Sequence, residues 1–230
     1  LNGNRNDLHE PALIPHIKEV SKLIKANAYF GTVTIFCDYD VDGLTSAVIM
    51  WKTLQRLGSN IDVEILNSNR FRDGYGLSKE AVNIISDYDT DLIITLDCGI
   101  TNHEEIEYAK SLGMEVAVID HHNAEEPPDC PYVDLKVDQG QYPFRELCGA
   151  GITWKVAQYI LDDKLYDLLD VTATATVADV VPLLGENRLI VKEGLNRIIN
   201  NNVNSGIHTL MDVYDVDCND IKASDIGFKI

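Results

Sequence analysis

The sequence has no apolar run approaching the roughly 20 residues that a membrane-spanning helix needs. Its first ten residues, LNGNRNDLHE, hold no basic patch followed by an apolar stretch, so they do not read as a secretory signal. Cysteine is sparse: Cys37, Cys98, Cys130, Cys148 and Cys218 are scattered, odd in number and free of any C-x-x-C pair. That excludes a disulfide scaffold and a zinc ribbon, and it fits a reducing, cytoplasmic setting. Basic residues are also short, with 19 Lys and Arg against 37 Asp and Glu and a net charge of −18. Taken alone, this argues against a nucleic-acid binder, because phosphate contacts need Lys and Arg. Two readings of the acidic excess stay open: a solubilising surface, or carboxylates that hold divalent cations and reverse the charge locally. There is no internal repeat and no low-complexity segment.

What is present is ordinary for a globular protein, with 230 residues of which 45% are hydrophobic and 24% charged, enough to bury a sizeable core. β-rich runs at 32–37, 61–66, 91–96 and 115–119 alternate with segments of helical period. The helical segments are the stretch after Pro15, 43–58 ending at Gly58, one opening at Ser78, and one ending at Gly113. The spacing predicts an α/β fold, a mostly parallel sheet flanked by helices with right-handed crossovers. Beyond Pro127 the pattern loosens through a Pro-rich loop, then recovers as helices near 151–162 and 186–200. The tail from 206 to 230 is weakly patterned.

Three of the expected strands end in acid. TVTIFC runs into Asp38, Asp40 and Asp42, DLIITL into Asp97, and EVAVI into Asp120, His121 and His122. Ligands of open α/β sheets bind outside the carboxyl ends of the strands. One strand-end Asp is more often a helix cap than a ligand, but three acidic ends in one sheet, one with paired histidines, are harder to assign to capping. Held together without cations, those carboxylates would cost several kcal/mol in repulsion and desolvation. Carboxylates with one or two imidazoles suit manganese, with magnesium or zinc as substitutes. Two rival readings of Asp38–Gly43 fail. An EF-hand loop needs a final Glu where Ile49 stands, and a strand precedes the segment instead of a helix. A haloacid-dehalogenase-like phosphatase needs a downstream Lys and acidic pair that do not fit.

Read together, these segments resemble the RecJ family of the Asp-His-His (DHH) phosphoesterase superfamily. DYDVDGLTSA (38–47), NRFRDGYGLS (69–78), LIITLDCGITNHEE (92–105), VIDHHNAEEPPDCP (118–131), YPFRELCGAGITWK (142–155) and TATVADVVPLLGENR (174–188) match its motifs in order. The resemblance runs from about Thr32 to the end of the chain. It implies a DHH catalytic domain over 32–205, an N-terminal helical extension over 1–31, and a stretch over 206–230 that begins the connection to a second domain absent from this chain. It implies a site for two divalent cations, Mn2+ or else Mg2+, with Asp40, Asp42, Asp97, His121 and Asp179 as ligands and Asp97 bridging. Asp38 is either a ligand or an acid behind the ligands. Many relatives outside RecJ carry a His where Phe36 stands here, and Asp38 is placed to compensate.

The implied activity is 5′→3′ exonucleolytic hydrolysis of single-stranded DNA in repair and recombination. His122 is positioned for a non-bridging oxygen or the leaving group, and Arg70, with Arg72, for phosphate. The implied partners are single-stranded DNA, the second domain, and a single-strand-binding protein or helicase. Another DHH phosphoesterase, acting on oligonucleotides, cyclic dinucleotides or pyrophosphate, is the alternative; a non-catalytic replication-scaffold relative is a third. Structural readings stand beside the functional ones. Asp179 alone reads as a helix end. Gly149-Ala150-Gly151 favours tight packing over phosphate binding on backbone amides. Arg188 fits a salt bridge at a helix start, His103 a solvated helix end, and Trp51 and Trp154 fit the core.

Overall fold

The structure is a computed structural model that describes residues 3–58, 61–68 and 76–229. Five strands, β1 (Val33–Cys37), β2 (Val63–Asn67), β3 (Leu92–Leu96), β4 (Glu115–Ile119) and β5 (Tyr132–Val133), form one sheet in the order β2-β1-β3-β4-β5. Every neighbouring pair is parallel. The α/β reading of the sequence holds. Among the described strands, the two-residue β5 has no counterpart in it, because a run that short gives no period to read.

β1 and β3 are buried at all five positions, as central parallel strands are. Their side chains alternate between two cores. Val33, Ile35 and Cys37 of β1, with Leu92, Ile94 and Leu96 of β3, face the larger one. Phe36, Ile93, Val116 and Val118 face the smaller one. The helices α1 (Ile17–Phe30) and α2 (Val41–Leu57) cover the larger side, together with α5 (Gly149–Leu161). The short α3 (Lys79–Ser86) and α4 (His103–Ser111) cover the other. Ser78 caps α3 through Ala81 N at 3.1 Å, and α2 stops at Gly58, both as the spacing predicts.

Behind α2 and α5 lies α6 (Leu169–Ala178), against which α7 (Gly185–Ile199) packs. From Leu169 to Thr176 every residue of α6 is buried, so no apolar stripe marks it in the sequence. The weakly patterned tail contains α8 (Ser205–Val213) and α9 (Ala223–Lys229), whose Ile207, Met211 and Ile226 join the same core as Ile14 and Ile17. The N-terminal segment is held by a buried polar network. Lys155 Nζ, fully buried, donates to His9 O at 2.7 Å and Glu186 Oε1 at 2.6 Å, and Tyr142 Oη donates to Glu186 Oε2 at 2.5 Å.

Two expectations need correction. Trp154 is buried with its indole N–H on Leu165 O at 3.0 Å, but Trp51 is 40% exposed. α2 turns Ile49, Met50 and Leu54 inward, which leaves Trp51 outward with Leu44 and Val48. Arg188 is exposed and forms no ion pair with a described residue; Glu186 turns inward to Lys155 instead. His103 is exposed at the start of α4, as expected. Among the described residues no helix is long and apolar enough to cross a membrane, and all five cysteines are free thiols.

Candidate metal centre

Parallel register sets Cys37 beside Leu96 and Leu96 beside Ile119, so the residues that follow β1, β3 and β4 leave the sheet in a row. Asp38, Asp97 and Asp120 are those residues, at the carboxyl edge beside the point where strand order reverses between β1 and β3. Asp40 caps α2, its Oδ1 accepting from Gly43 N at 3.0 Å, and Asp42 sits in the first turn of that helix. Asp179 closes the carboxyl end of α6.

These groups converge. His121 Nε2 lies 3.1 Å from Asp97 Oδ1, 3.6 Å from Asp42 Oδ2 and 3.7 Å from Asp179 Oδ2. These are ion-pair distances without hydrogen-bond alignment, and neither ring nitrogen of His121 has a hydrogen-bond partner. Asp42, His121 and Asp179 present ligand atoms within 4.8 Å of one another, and so do Asp38, Asp40 and Asp97; a third such group joins Asp97 to His121 and His122. Asp97 thus belongs to two of these groups, and His121 joins it to the third, with Asp42 and Asp179. Ser68 Oγ donates to Asp38 Oδ1 at 2.6 Å, holding that carboxylate at the end of β1.

Gly149-Ala150-Gly151 combines both roles weighed for it, with a protein carboxylate in place of a phosphate. The amides of Gly149 and Ala150, at the amino end of α5, donate to Asp42 Oδ2 and Oδ1 at 2.6 and 2.8 Å. The positive end of the helix is thereby matched to that carboxylate. Packing is also tight, because a Cβ on Gly149 would meet Asp97 Oδ1 at 2.9 Å and Asp42 Oδ2 at 3.1 Å. Two left-handed residues also lie at this place. Asp97 has φ 59° and Val180, next to Asp179, has φ 58°. Asp tolerates the left-handed region, but a β-branched residue there costs about 1–3 kcal/mol and is held by its surroundings.

The electrostatics are those of an acid cluster that cannot stay fully ionised alone. Burial, then Asp42 and Asp40, push Asp97 up to about 11. Asp42 is raised by burial and Asp179 by burial and Asp40 to about 6, while burial lowers His121. Protons or cations must therefore enter the cluster. Its donors, carboxylate oxygens with an imidazole, suit manganese or magnesium.

Asp120 has a different task. It is 1% exposed, and its Oδ1 lies 2.7 Å from both His121 N and His122 Nδ1, while Oδ2 accepts from Ile100 N at 3.1 Å. Burial would lower His122, but the hydrogen bond and charge of Asp120 outweigh it and the pKa is raised. Asp120 thereby fixes the ring with Nδ1 toward itself and Nε2 on the opposite edge. The sequence places Asp120 among the strand-end acids but does not show this role. Asp134, one residue past β5, escapes the sequence reading: it is 2% exposed and pushed up to about 7 by burial and Asp120. Its only signal in the sequence is an acid after a two-residue strand.

Of the site residues read from the sequence, Asp38, Asp40, Asp42, Asp97, His121, His122 and Asp179 come together. Arg70 and Arg72 lie outside the described residues.

The chain is similar to known proteins in sequence and in fold. The family described as "DHH family, N-terminal domain" matches residues 32–181. The chain is 37% identical over 229 residues to the single-stranded-DNA-specific exonuclease RecJ of Bacillus subtilis (strain 168), an overlap of 97% of this chain and 28% of that protein. It is 35% identical over 216 residues to the RecJ of Escherichia coli (strain K12), covering 86% of this chain and 37% of that one. A crystal structure of exonuclease RecJ bound to manganese matches with a TM-score of 0.84 at 30% identity, over 96% of this chain and 57% of that chain. The chain thus spans 28–37% of the length of these two curated relatives.

Proposed function

The chain belongs to the DHH family, and from that premise we propose that its strand-end acids form a two-cation phosphodiesterase centre that degrades single-stranded DNA from the 5′ end, as a RecJ-type exonuclease. The observation that carries the proposal is the position of Asp97 between two groups of ligand atoms. One buried carboxylate shared between a pair of acids, Asp38 and Asp40, and a pair of imidazoles, His121 and His122, is a donor arrangement that suits a pair of divalent cations. In this reading Asp40, Asp42, Asp97, His121 and Asp179 hold the cations, Asp97 bridges them, and Asp38, tied to Ser68, completes or backs the set. Manganese is the first choice, in keeping with the manganese-bound RecJ structure, and magnesium the second.

Such cations, when bound, lower the pKa of water and neutralise phosphate charge. The chain's own residues do the rest. The amides at the amino end of α5 hold the Asp42 carboxylate in one rotamer through two backbone donors. Asp120 holds His122 with Nδ1 bound, which directs Nε2 to hydrogen-bond a phosphate oxygen or pass a proton to the leaving group. Arg70, with its planar fork, is the proposed contact to a further phosphate.

Residues 32–205 form the proposed catalytic domain, 1–31 an extension packed on it, and 206–230 the approach to a second domain in the longer relatives. That domain would supply the opposite, basic wall of the DNA groove and reconcile a net charge of −18 with a nuclease. A single-strand-binding protein or a helicase is the proposed partner class.

The test is manganese-dependent nucleotide release from 5′-phosphorylated single-stranded DNA, with duplex DNA and a cyclic dinucleotide as controls and Asp97→Asn as the inactive reference. Preference for the single strand supports the proposal. Cleavage of the cyclic dinucleotide in its place assigns the same centre to another DHH phosphoesterase. Cleavage that persists unchanged in Asp97→Asn or in EDTA removes the centre from consideration.

A further inference from the structure

Trp51 stands outward on α2 in apolar company. Between Val41 and Trp51 the helix exposes four side chains, Val41, Leu44, Val48 and Trp51, at 38%, 47%, 38% and 40%, and all four are apolar. Their spacing of three, four and three residues puts them on one face. The other side of the helix already carries Ile49, Met50 and Leu54 into the larger core. Ile65 of the edge strand β2, 46% exposed, is in register with Ile35 and so lies on the α2 side of the sheet. Single exposed apolar residues are ordinary, but a stripe of them marks a surface that something covers.

Two observations say what covers it. The first is continuity with the centre. α2 opens at Asp40 and Asp42, and Val41 lies between these two proposed ligands. Asp42 turns inward to the α5 amides, whereas Asp40 and Val41 are exposed, so the centre meets solvent where the stripe begins. At a rise of about 1.5 Å per residue, the stripe runs about 15 Å from there to Trp51, room for a few nucleotides. The second is charge. The chain has 37 acidic residues, yet none falls between Gly43 and Ile61, a stretch that holds Lys52 and Arg56. Arg56 is shared with Asp167, and Lys52 is half-exposed beside Trp51. A phosphate backbone laid along this helix therefore meets no carboxylate of its own segment.

We propose that this face of α2 is a base-stacking platform for the substrate strand. Trp51 stacks on an unpaired base on the 3′ side of the scissile phosphate, and Leu44 and Val48 pack against the bases nearer the centre. Every base offers a π-face to such a platform, so the contact is indifferent to sequence. A duplex buries those faces in its own stack, so the platform favours single strands. The inference rests on the exonuclease reading above and adds to it a site for the bases, which the cation ligands do not supply.

The experiment is steady-state hydrolysis of a short 5′-phosphorylated oligothymidylate in manganese by the wild type, Trp51→Ala, Trp51→Phe and Val48→Ser. An abasic strand of the same length serves as competitor, and each variant is checked by thermal melt and manganese calorimetry. In Trp51→Ala, KM should rise on the order of tenfold with kcat and manganese affinity unchanged, while Trp51→Phe keeps most of the wild-type KM. Val48→Ser should give a smaller rise, and inhibition by the abasic strand should be equal in all four proteins. An unchanged KM in Trp51→Ala overturns the inference and leaves the proposed function standing. Abasic inhibition that weakens in step with KM makes the face a phosphate contact, and a lower Tm or manganese affinity in Trp51→Ala makes Trp51 structural; either overturns it. A wild-type dimer that Trp51→Ala dissociates assigns the face to a second copy, with the same consequence. No manganese-dependent hydrolysis by the wild type overturns the proposed function, and this inference with it.

Discussion

Divalent cations should stabilise this fold, and by an amount that grows between pH 6 and pH 8. In the cation-free protein Asp97 is raised from 3.8 to about 11, and Asp179 from 3.8 to about 6. Above about pH 4 the folded state therefore keeps protons that the unfolded chain has released. Stability from this source is fully present below the unfolded pKa and is lost as pH rises, by about pH 6 for Asp179 and progressively up to about 11 for Asp97. A cation needs ionised ligands and must displace those protons. His121, lowered by burial, adds little to the competition in this window.

If one proton on Asp97 is displaced, the competition weakens by about 1.4 kcal/mol per pH unit, so cation affinity rises about a hundredfold from pH 6 to pH 8. Manganese set at about 100 times its Kd at pH 8 then contributes about 2.7 kcal/mol, and the same concentration at pH 6 only about 0.4 kcal/mol. For a chain of this size each kcal/mol moves Tm by about 2–4 °C. The expected Tm increment is about 5–11 °C at pH 8 and about 1–2 °C at pH 6. Paired melts in manganese and in EDTA at pH 6, 7 and 8, followed by circular dichroism, measure it. An increment that is flat or shrinks as pH rises would refute the linkage, and no increment at any pH would refute the site.

Other outcomes follow from particular contacts. Asp97→Asn should lower manganese stoichiometry in calorimetry from two to at most one, since a bridging ligand serves both ions; unchanged stoichiometry would move the bridge elsewhere. His122→Ala should keep manganese binding yet slow DNA hydrolysis about 10²–10⁴-fold, and loss of metal instead would exchange the roles of the two histidines. Gly149→Ala places a Cβ 2.9 Å from Asp97 Oδ1 and 3.1 Å from Asp42 Oδ2. It should cost about 1–3 kcal/mol in urea denaturation and weaken manganese binding; wild-type values for both would show that the acids have room to move. Lys155→Met leaves Glu186 buried beside Tyr142 and His9 without its cation, and a loss of about 3–5 kcal/mol in urea denaturation is expected. A loss under about 1 kcal/mol would show the pair to be dispensable.

Much of this protein is legible in its sequence because the relevant signals are local. β1 and β3 are runs of buried β-branched and aliphatic residues, and their length and flanking helices identify a parallel sheet. Once the sheet is parallel, the acids after each strand must share one edge, so the strand pattern alone groups Asp38, Asp97 and His121. Capping is local as well, and Ser78 and Gly58 act where the spacing places them. Features that depend on the surroundings were not legible. α6 is buried on every side and so shows no stripe, and Trp51 lies outward because α2 offers its neighbours to the core.

The sequence by itself determined the four longer strands, the helices that flank the sheet and the strand-end candidate ligands, since periodicity and strand-end chemistry are written residue by residue; Asp179, at the end of α6, was marked only by the family resemblance. Tertiary structure alone decided how those residues are held. The amides of α5 reach Asp42 across 107 residues of chain, and Ser68 reaches Asp38 across 30. No local pattern specifies such contacts, because they arise when separate elements pack and must satisfy buried polar groups at the meeting point.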